Sequence, residues 1–252
     1  MARISTAPVK FGVGQSARRK EDDALVRGRG RYTDDHAPMP ALHALMLRSP
    51  HAHARFRIDA TPARALPGVA LVLTAADIKD LGGLPCLFNL PDTPFTPPPY
   101  PILAQGEVRH VGDSVAFVVA DSLAHARDAL ESIAVEWTPL PAVVSAANAV
   151  KAGAPAVWPQ FPDNVLFDVD IGDKAKAEAA FATADAVAEI AIVNPRIVTN
   201  YMETRAAVCE YDAKRDHLTL TVGSQGSHRL RDILCQNILH IPVEKMRVIC
   251  PD

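Results

Sequence analysis

The chain has 252 residues, 48% of them hydrophobic, which is enough for real cores in one large or two modest domains and excludes wholesale disorder. With 26 basic against 29 acidic residues the net charge is −3, and no basic run is long enough to track a phosphate backbone, so nucleic-acid binding is disfavoured. No apolar run approaches the ~20 residues that span a bilayer, and the first residues lack the apolar core of a signal peptide, so a cytoplasmic location is expected.

In chain order, the Gly12-Val13-Gly14 string superficially fits a dinucleotide-binding fingerprint. The polar, basic run that follows it, residues 17–23, is no buried helix, so that reading is set aside. Tyr32-Thr33-Asp34-Asp35 is turn-forming, with two Asx side chains able to accept from backbone amides ahead of them. Residues 42–47 are apolar on both alternating sets apart from His43, which predicts an interior strand. Residues 48–54, with Pro50, His51 and His53, read as the loop that closes it.

Thr61-Pro62 has the form of an N-cap followed by proline at the first helical position, and that short helix ends by Pro67-Gly68. A strand at 69–73 precedes Thr74-Ala75-Ala76-Asp77, a capping-box pattern with Asp for Glu that predicts a second short helix stopping near Gly82-Gly83. The prolines of residues 90–101 remove amide donors and fix φ, so an extended surface loop is expected. A strand at 115–120, a helix capped by Asp121-Ser122 with Ala126, Ala129, Leu130 and Ile133 on one face, and a strand at 134–137 suit a βαβ-like unit.

From Pro139 to Asn164 the composition shifts to Pro, Ala and Gly without sustained periodicity, as a connector does. Beyond it, Asp173 can cap a helix reaching Phe181, and residues 187–193 read as a strand. Strands at 206–211 and 217–222 flank a turn-rich loop suited to a hairpin. A helix over 228–239 carries Leu230, Ile233, Leu234 and Ile238 as one buried stripe, and 246–250 is a last strand. The fold class is α+β, with a tail at 1–18, a first domain at 19–140, a linker at 141–164 and a second domain beginning at 165 and running to 252.

Cys86, Cys209, Cys235 and Cys250 are scattered, frame neither a zinc nor an iron–sulfur site, and read as small buried hydrophobes without disulfides. His51 and His53, with His36 and His43 nearby, place imidazoles at alternate positions of an extended chain. No carboxylate or cysteine stands beside them at ligand spacing, so hydrogen-bonded loop or subunit-contact histidines are expected rather than a metal site.

Gly223-Ser224-Gln225-Gly226 follows a predicted strand and precedes a predicted helix, where side chains at the strand's end face a ligand and glycines permit close backbone approach. The alternative is that Ser224 or Ser227 caps the helix while Gln225 is solvated. A serine-hydrolase elbow fails on spacing, because Val222 stands where glycine is required. Glu203 and Arg205 suggest a local charged pair of structural role.

The strings GRGRYTDD, LRSPHAHAR, ALPGVALVLTAADI, HVGDSVAFVVADSLAHARDALESIAVEWTPLPAVV, DNVLFDVDIGD, NPRIVTNYMETRAAVCEYD and LTLTVGSQGSH resemble, in order, the opening of the large molybdenum-binding subunit of the xanthine dehydrogenase and aldehyde oxidase family. The resemblance runs from about Arg19 to Asp252 and extends to the carbon monoxide dehydrogenase branch. It implies an α/β-hammerhead domain followed by the first part of a molybdopterin-binding domain. It further implies oxidative hydroxylation of an aldehyde, purine or other N-heterocycle, with electrons passing through Fe–S clusters to FAD on partner subunits.

By the same resemblance Gln225 contacts an oxygen ligand of molybdenum without being a metal ligand, and Gly226 belongs to the cofactor-binding bend. The family has proline where Thr204 stands. A Gly-rich loop after the last strand and a distant glutamate base complete the site in relatives. No catalytic residue is therefore expected within these residues, and the chain alone is expected to be inactive. A non-catalytic module that docks Fe–S and flavin subunits is the alternative.

Overall fold

The computed structural model describes residues 19–88, 95–195, 197–201 and 203–251. Residues 1–18, with the Gly12–Gly14 string, residues 89–94 at the start of the proline-rich stretch, and residues 196, 202 and 252 lie outside the described residues.

The elements follow in chain order. A short helix Asp22–Val26 (α1) buries none of its residues and precedes a 3₁₀ turn at Thr33–His36. Next come His43–Arg48 (β1), Ala54–Asp59 (β2), Thr61–Arg64 (α2), Val69–Thr74 (β3), Glu107–Val108 (β4), Ser114–Ala120 (β5), Leu123–Glu131 (α3) and Ala134–Pro139 (β6). The rest comprises Ala146–Ala149 (α4), Lys174–Ala182 (α5), Ala207–Asp212 (β7), His217–Val222 (β8), Ser227–Ile233 (α6), a π-helical turn at Leu234–Leu239, a 3₁₀ turn at Val243–Lys245 and Met246–Ile249 (β9).

The described residues gather into two compact units that are not consecutive in sequence: those within 19–37, 203–230 and 245–251 form one, and those within 38–201 and 231–244 the other.

The larger unit holds two antiparallel three-stranded sheets, β1-β5-β3 and β4-β2-β6. In β5, Val115, Ala116, Val118 and Ala120 are all buried, so this strand takes the centre of its sheet. The first strand is therefore not the interior one expected. It pairs on one side only, and no residue of β1 is fully buried. The βαβ reading is corrected as well, because β5 and β6 flank α3 but belong to different sheets. An antiparallel partner for β6 exists in β2, whose Ala54, Phe56 and Ile58 face inward between Arg55, Arg57 and Asp59.

One core forms where α2 and α3 cover the first sheet, with Ala60, Ala63, Val72, Val118, Ala126 and Ala129 buried; its alanines let helix and sheet approach closely. A second core holds Ala54, Phe56, Ala104, Val108 and Val115, and Leu47, Ile58 and Val135 pack against both. Ser122 caps α3 as its sequence predicts, its hydroxyl accepting from His125 N at 3.2 Å.

Residues after Thr74 form turns rather than the second helix expected. Asp77 nevertheless accepts from Thr74 N at 2.8 Å and Thr74 Oγ1 at 2.7 Å, and Arg64 pairs with it at 2.6 Å. These bonds, the Thr74 hydroxyl foremost, hold the Asp77 carboxyl below the usual carboxylate value. A lowered folded pKa contributes stability that is fully present above the unfolded value near ~3.9 and is lost as pH falls through the folded one. Urea unfolding measured from pH 5 down to pH 2 is expected to show this loss, and Asp77→Asn to flatten it.

Gly68 closes the α2–β3 turn at φ +79°, where a Cβ would overlap His125 Nδ1 and lie 2.7 Å from Asp121 Oδ1. Both obstacles are movable side-chain ends, so Gly68→Ala is expected to cost about 1–2 kcal/mol, mostly from the left-handed backbone, read as a lowered melting temperature.

Residues 141–164 carry only α4, yet they are fastened. Asn164, at φ +59°, donates to Ala149 O at 2.9 Å and Pro155 O at 3.0 Å and accepts from Val157 N at 2.8 Å. The Arg109 guanidinium lies 3.8 Å from the centre of the Trp158 ring while pairing with Glu107 at 2.9 Å. Asp173 caps α5 through Lys176 N at 3.0 Å, as expected. The strand predicted at 187–193 does not form: these residues belong to no strand and are exposed throughout.

The smaller unit is a mixed sheet in the order β7-β8-β9, with β7–β8 the expected antiparallel hairpin and β9 parallel to β8. The helix predicted over 228–239 is α-helical at first and then widens into the π-helical turn, in which Cys235 and Ile238 are buried. His240 ends it in the left-handed conformation. Of the four free cysteines only Cys235 is buried; Cys86 and Cys209 are exposed and Cys250 half-buried, so the expectation of four buried thiols is corrected.

Candidate functional site

The bend Gly223-Ser224-Gln225-Gly226 lies between the end of β8 and the start of α6. β8 ends there because Gly223 carries no side chain to pack, and Ser224 then turns the chain locally, its Oγ accepting from Gly226 N at 3.3 Å. Ser224 thus makes the local polar contact, while Gln225 is exposed with its amide open to the surroundings. A Cβ at Gly226 would meet nothing within 4 Å, so the backbone beside Gln225 is clear for an approaching group.

Behind the bend stands Glu203. Its Oε1 accepts from Thr33 N at 3.2 Å and Thr33 Oγ1 at 3.0 Å, and Thr33 is only 1% exposed. A Cβ at Gly223 would lie 3.2 Å from Glu203 Oε2, so a side chain at this place would press the carboxylate back by a few tenths of an ångström. The 3₁₀ turn packs against β7 and β8, and it is closed by Tyr32 N donating to Asp35 Oδ2 at 2.9 Å. The turn chemistry of Thr33–His36 is readable from its Asp residues. Its tie to Glu203 is not, since 170 residues separate the partners. Glu203 is therefore tied to a distant turn, where a local charged pair with Arg205 was expected.

At the opposite end of the hairpin, Tyr211 Oη donates to Asp216 Oδ1 at 2.9 Å and Lys245 Nζ pairs with Asp216 Oδ2 at 2.5 Å. Lys245, and then Tyr211, hold the Asp216 carboxyl below its ordinary value, and Asp216 in turn pushes the Tyr211 phenol up. This network closes the turn between β7 and β8.

His51 and His53, with His43, are placed in the other unit, whereas His36 lies in the smaller one. His53 is engaged by Pro141 O at 2.8 Å and Glu107 Oε1 at 3.2 Å, and the His51 ring lies 5.2 Å from that of Trp137. They are hydrogen-bonding and packing groups of the β2–β6 sheet. Among the described residues no three His, Cys, Asp or Glu side chains gather as metal ligands. An open cavity of about 580 Å³ also belongs to that unit, with Leu84, Pro98, Tyr100, Arg109 and Trp158 on its walls. No helix of the described residues is long and apolar enough to cross a membrane.

Residues 27–141 match the family described as aldehyde oxidase and xanthine dehydrogenase, a/b hammerhead domain. Residues 157–252 match the molybdopterin cofactor-binding domain. The carbon monoxide dehydrogenase large chain of Afipia carboxidovorans is 34% identical over 96% of this chain and 30% of its own length. The nicotine 6-hydroxylase large subunit of Paenarthrobacter nicotinovorans is 33% identical over 95% of this chain and 29% of its own. In three dimensions, quinoline 2-oxidoreductase from Pseudomonas putida 86 superposes with a TM-score of 0.82 at 35% identity, over 95% of this chain and 30% of that one. The chain thus spans about 30% of the length of the relatives it matches.

Proposed function

Since the chain belongs to the aldehyde oxidase and xanthine dehydrogenase family, we propose that it is the N-terminal portion of the large subunit of a molybdenum hydroxylase. The hammerhead domain is assigned to residues 19–140, a linker to 141–164 and the start of the molybdopterin-binding domain to 165–252. One observation carries the reading: an exposed amide, Gln225, stands beside unobstructed backbone at Gly226, within the stretch matched to a molybdopterin cofactor-binding domain.

The donor set suits such a cofactor. A glutamine amide offers two N–H donors without adding charge, which fits an oxygen already bound to a metal. Gly226 leaves room for that oxygen to come within hydrogen-bond reach, and Ser224 fixes the bend through Gly226 N. Glu203, bonded to Thr33, backs the bend and holds the place of Gly223. When bound, the cofactor supplies the oxidising chemistry of hydroxylation, and the protein supplies position. The substrate is an aldehyde, a purine or another N-heterocycle; Fe–S and FAD subunits carry the electrons away, and the assembly is cytoplasmic. The chain by itself is inactive, because none of its residues is assigned as the proton-accepting base.

In the assembled enzyme, Gln225→Ala is expected to lower turnover about tenfold, the loss of one hydrogen bond of ~1.4 kcal/mol, with little change in KM. Molybdenum content per large subunit should stay the same. Unchanged turnover in that variant would remove Gln225 from the site.

A further inference from the structure

A second cavity of the larger unit, of about 420 Å³, takes its walls from both three-stranded sheets. Phe56 and Ile58 of β2 stand on one side, and Thr74 at the end of β3 and Val115 of β5 on the other. Phe56, Ala104 and Val115 are buried, so the floor of the cavity is the second core itself. The small side chains of Ala75 and Ala76 keep the space open. A volume of this order suits a small organic molecule.

The charge on its walls is of one sign. Lys79 and Gln105 line the cavity, and no lining residue is acidic. Neither side chain has a hydrogen-bond or ion-pair partner among the described residues. The neighbouring turn accounts for the unpaired ammonium: Asp77, two residues before Lys79, already accepts from Thr74 N and Thr74 Oγ1 and pairs with Arg64. That carboxylate also occupies the Thr74 hydroxyl. Beside Gln105, a Cβ at Gly106 would meet nothing within 4 Å, so the rim next to the amide is clear.

We propose that this cavity binds a small carboxylic acid with an aromatic or branched aliphatic body. The body packs on Phe56, Ile58 and Val115, and the carboxylate accepts from the Lys79 ammonium and the Gln105 amide. An inorganic anion would leave the apolar floor in water, and a hydrocarbon would leave the ammonium without a counter-charge. An amphipathic acid satisfies both. The site shares no residue with the Gln225 bend, so it stands or falls apart from the proposed function.

Phenylacetate, benzoate and isovalerate, titrated separately into the 252-residue chain free of molybdopterin and followed by backbone amide NMR, test this. At least one acid should saturate with a Kd of about 0.1–1 mM and shift the amides of Phe56, Ala75, Ala76 and Gln105. Its neutral carboxamide counterpart should bind about tenfold more weakly or worse. Lys79→Met keeps the alkyl stem without the charge and should abolish that preference, whereas Lys79→Arg should retain it. Lys79 is exposed, so both variants should melt with the parent. Failure of all three acids to saturate, shifts confined to another surface, a carboxamide as tight as its acid, or binding unaltered by Lys79→Met would each overturn the proposal.

Discussion

Gly82→Ala is expected to destabilise the larger unit by about 3 kcal/mol, lowering its melting temperature by roughly 10 °C. Gly82 N donates to Ile238 O at 2.9 Å, at the end of the π-helical turn, and this contact brings two backbones together. A Cβ there would overlap the Asn237 carbonyl oxygen and lie 2.8 Å from its carbon. No side chain can rotate out of the way, since the obstacle is main chain, so the turn must withdraw and give up its bond to Gly82. Hydrogen exchange should then speed up over 231–244, whose Cys235 and Ile238 lose their burial. An alanine variant with the melting temperature and exchange pattern of the parent would show that the approach of these backbones contributes nothing.

Glu203→Ala comes next, with an expected loss of about 2–3 kcal/mol in urea unfolding of the smaller unit. The carboxylate accepts two hydrogen bonds from Thr33, and Thr33 is buried, so its amide and hydroxyl would be left without their acceptor. Glu203→Gln keeps an oxygen in place and should cost about 1 kcal/mol, the difference between a charged and a neutral acceptor. A double-mutant cycle with Thr33→Val isolates the pair, and a coupling energy of about 1 kcal/mol or more is expected. Additive effects would mean that Glu203 acts through another contact.

Local chemistry made much of this fold legible. The caps at Ser122 and Asp173, the β7–β8 hairpin and the core faces of α3 follow from side chains within a few residues of one another. Placement between sheets was less accessible. The strand 115–120, α3 and the strand after it suit a βαβ-like unit whose pairing the sequence leaves open; pairing is decided by which edges are free, and β2 claims β6. The alternation Ala54, Phe56, Ile58 carries the period-two signal of β2, and it is lost when the histidine-bearing run before it is read as a loop closing β1. Residues 187–193 have a strand's composition, but composition cannot supply the partner that a strand requires. The Gln225 bend was legible as a glycine-flanked turn between strand and helix; the support of Glu203 and Thr33 behind Gly223 was not, because long-range side-chain bonds leave no local pattern.

The smaller unit joins Thr33 to Glu203 across a long stretch of sequence, and this sets an order of events during synthesis. Thr33 emerges from the ribosome 170 residues before Glu203. At ~5–20 residues per second that is a wait of roughly ten to thirty seconds, long enough for the intervening sheets to form first. The opening segment therefore spends that interval exposed to proteases and chaperones, and a pause in translation between the two codons lengthens its vulnerability without altering any contact of the finished protein.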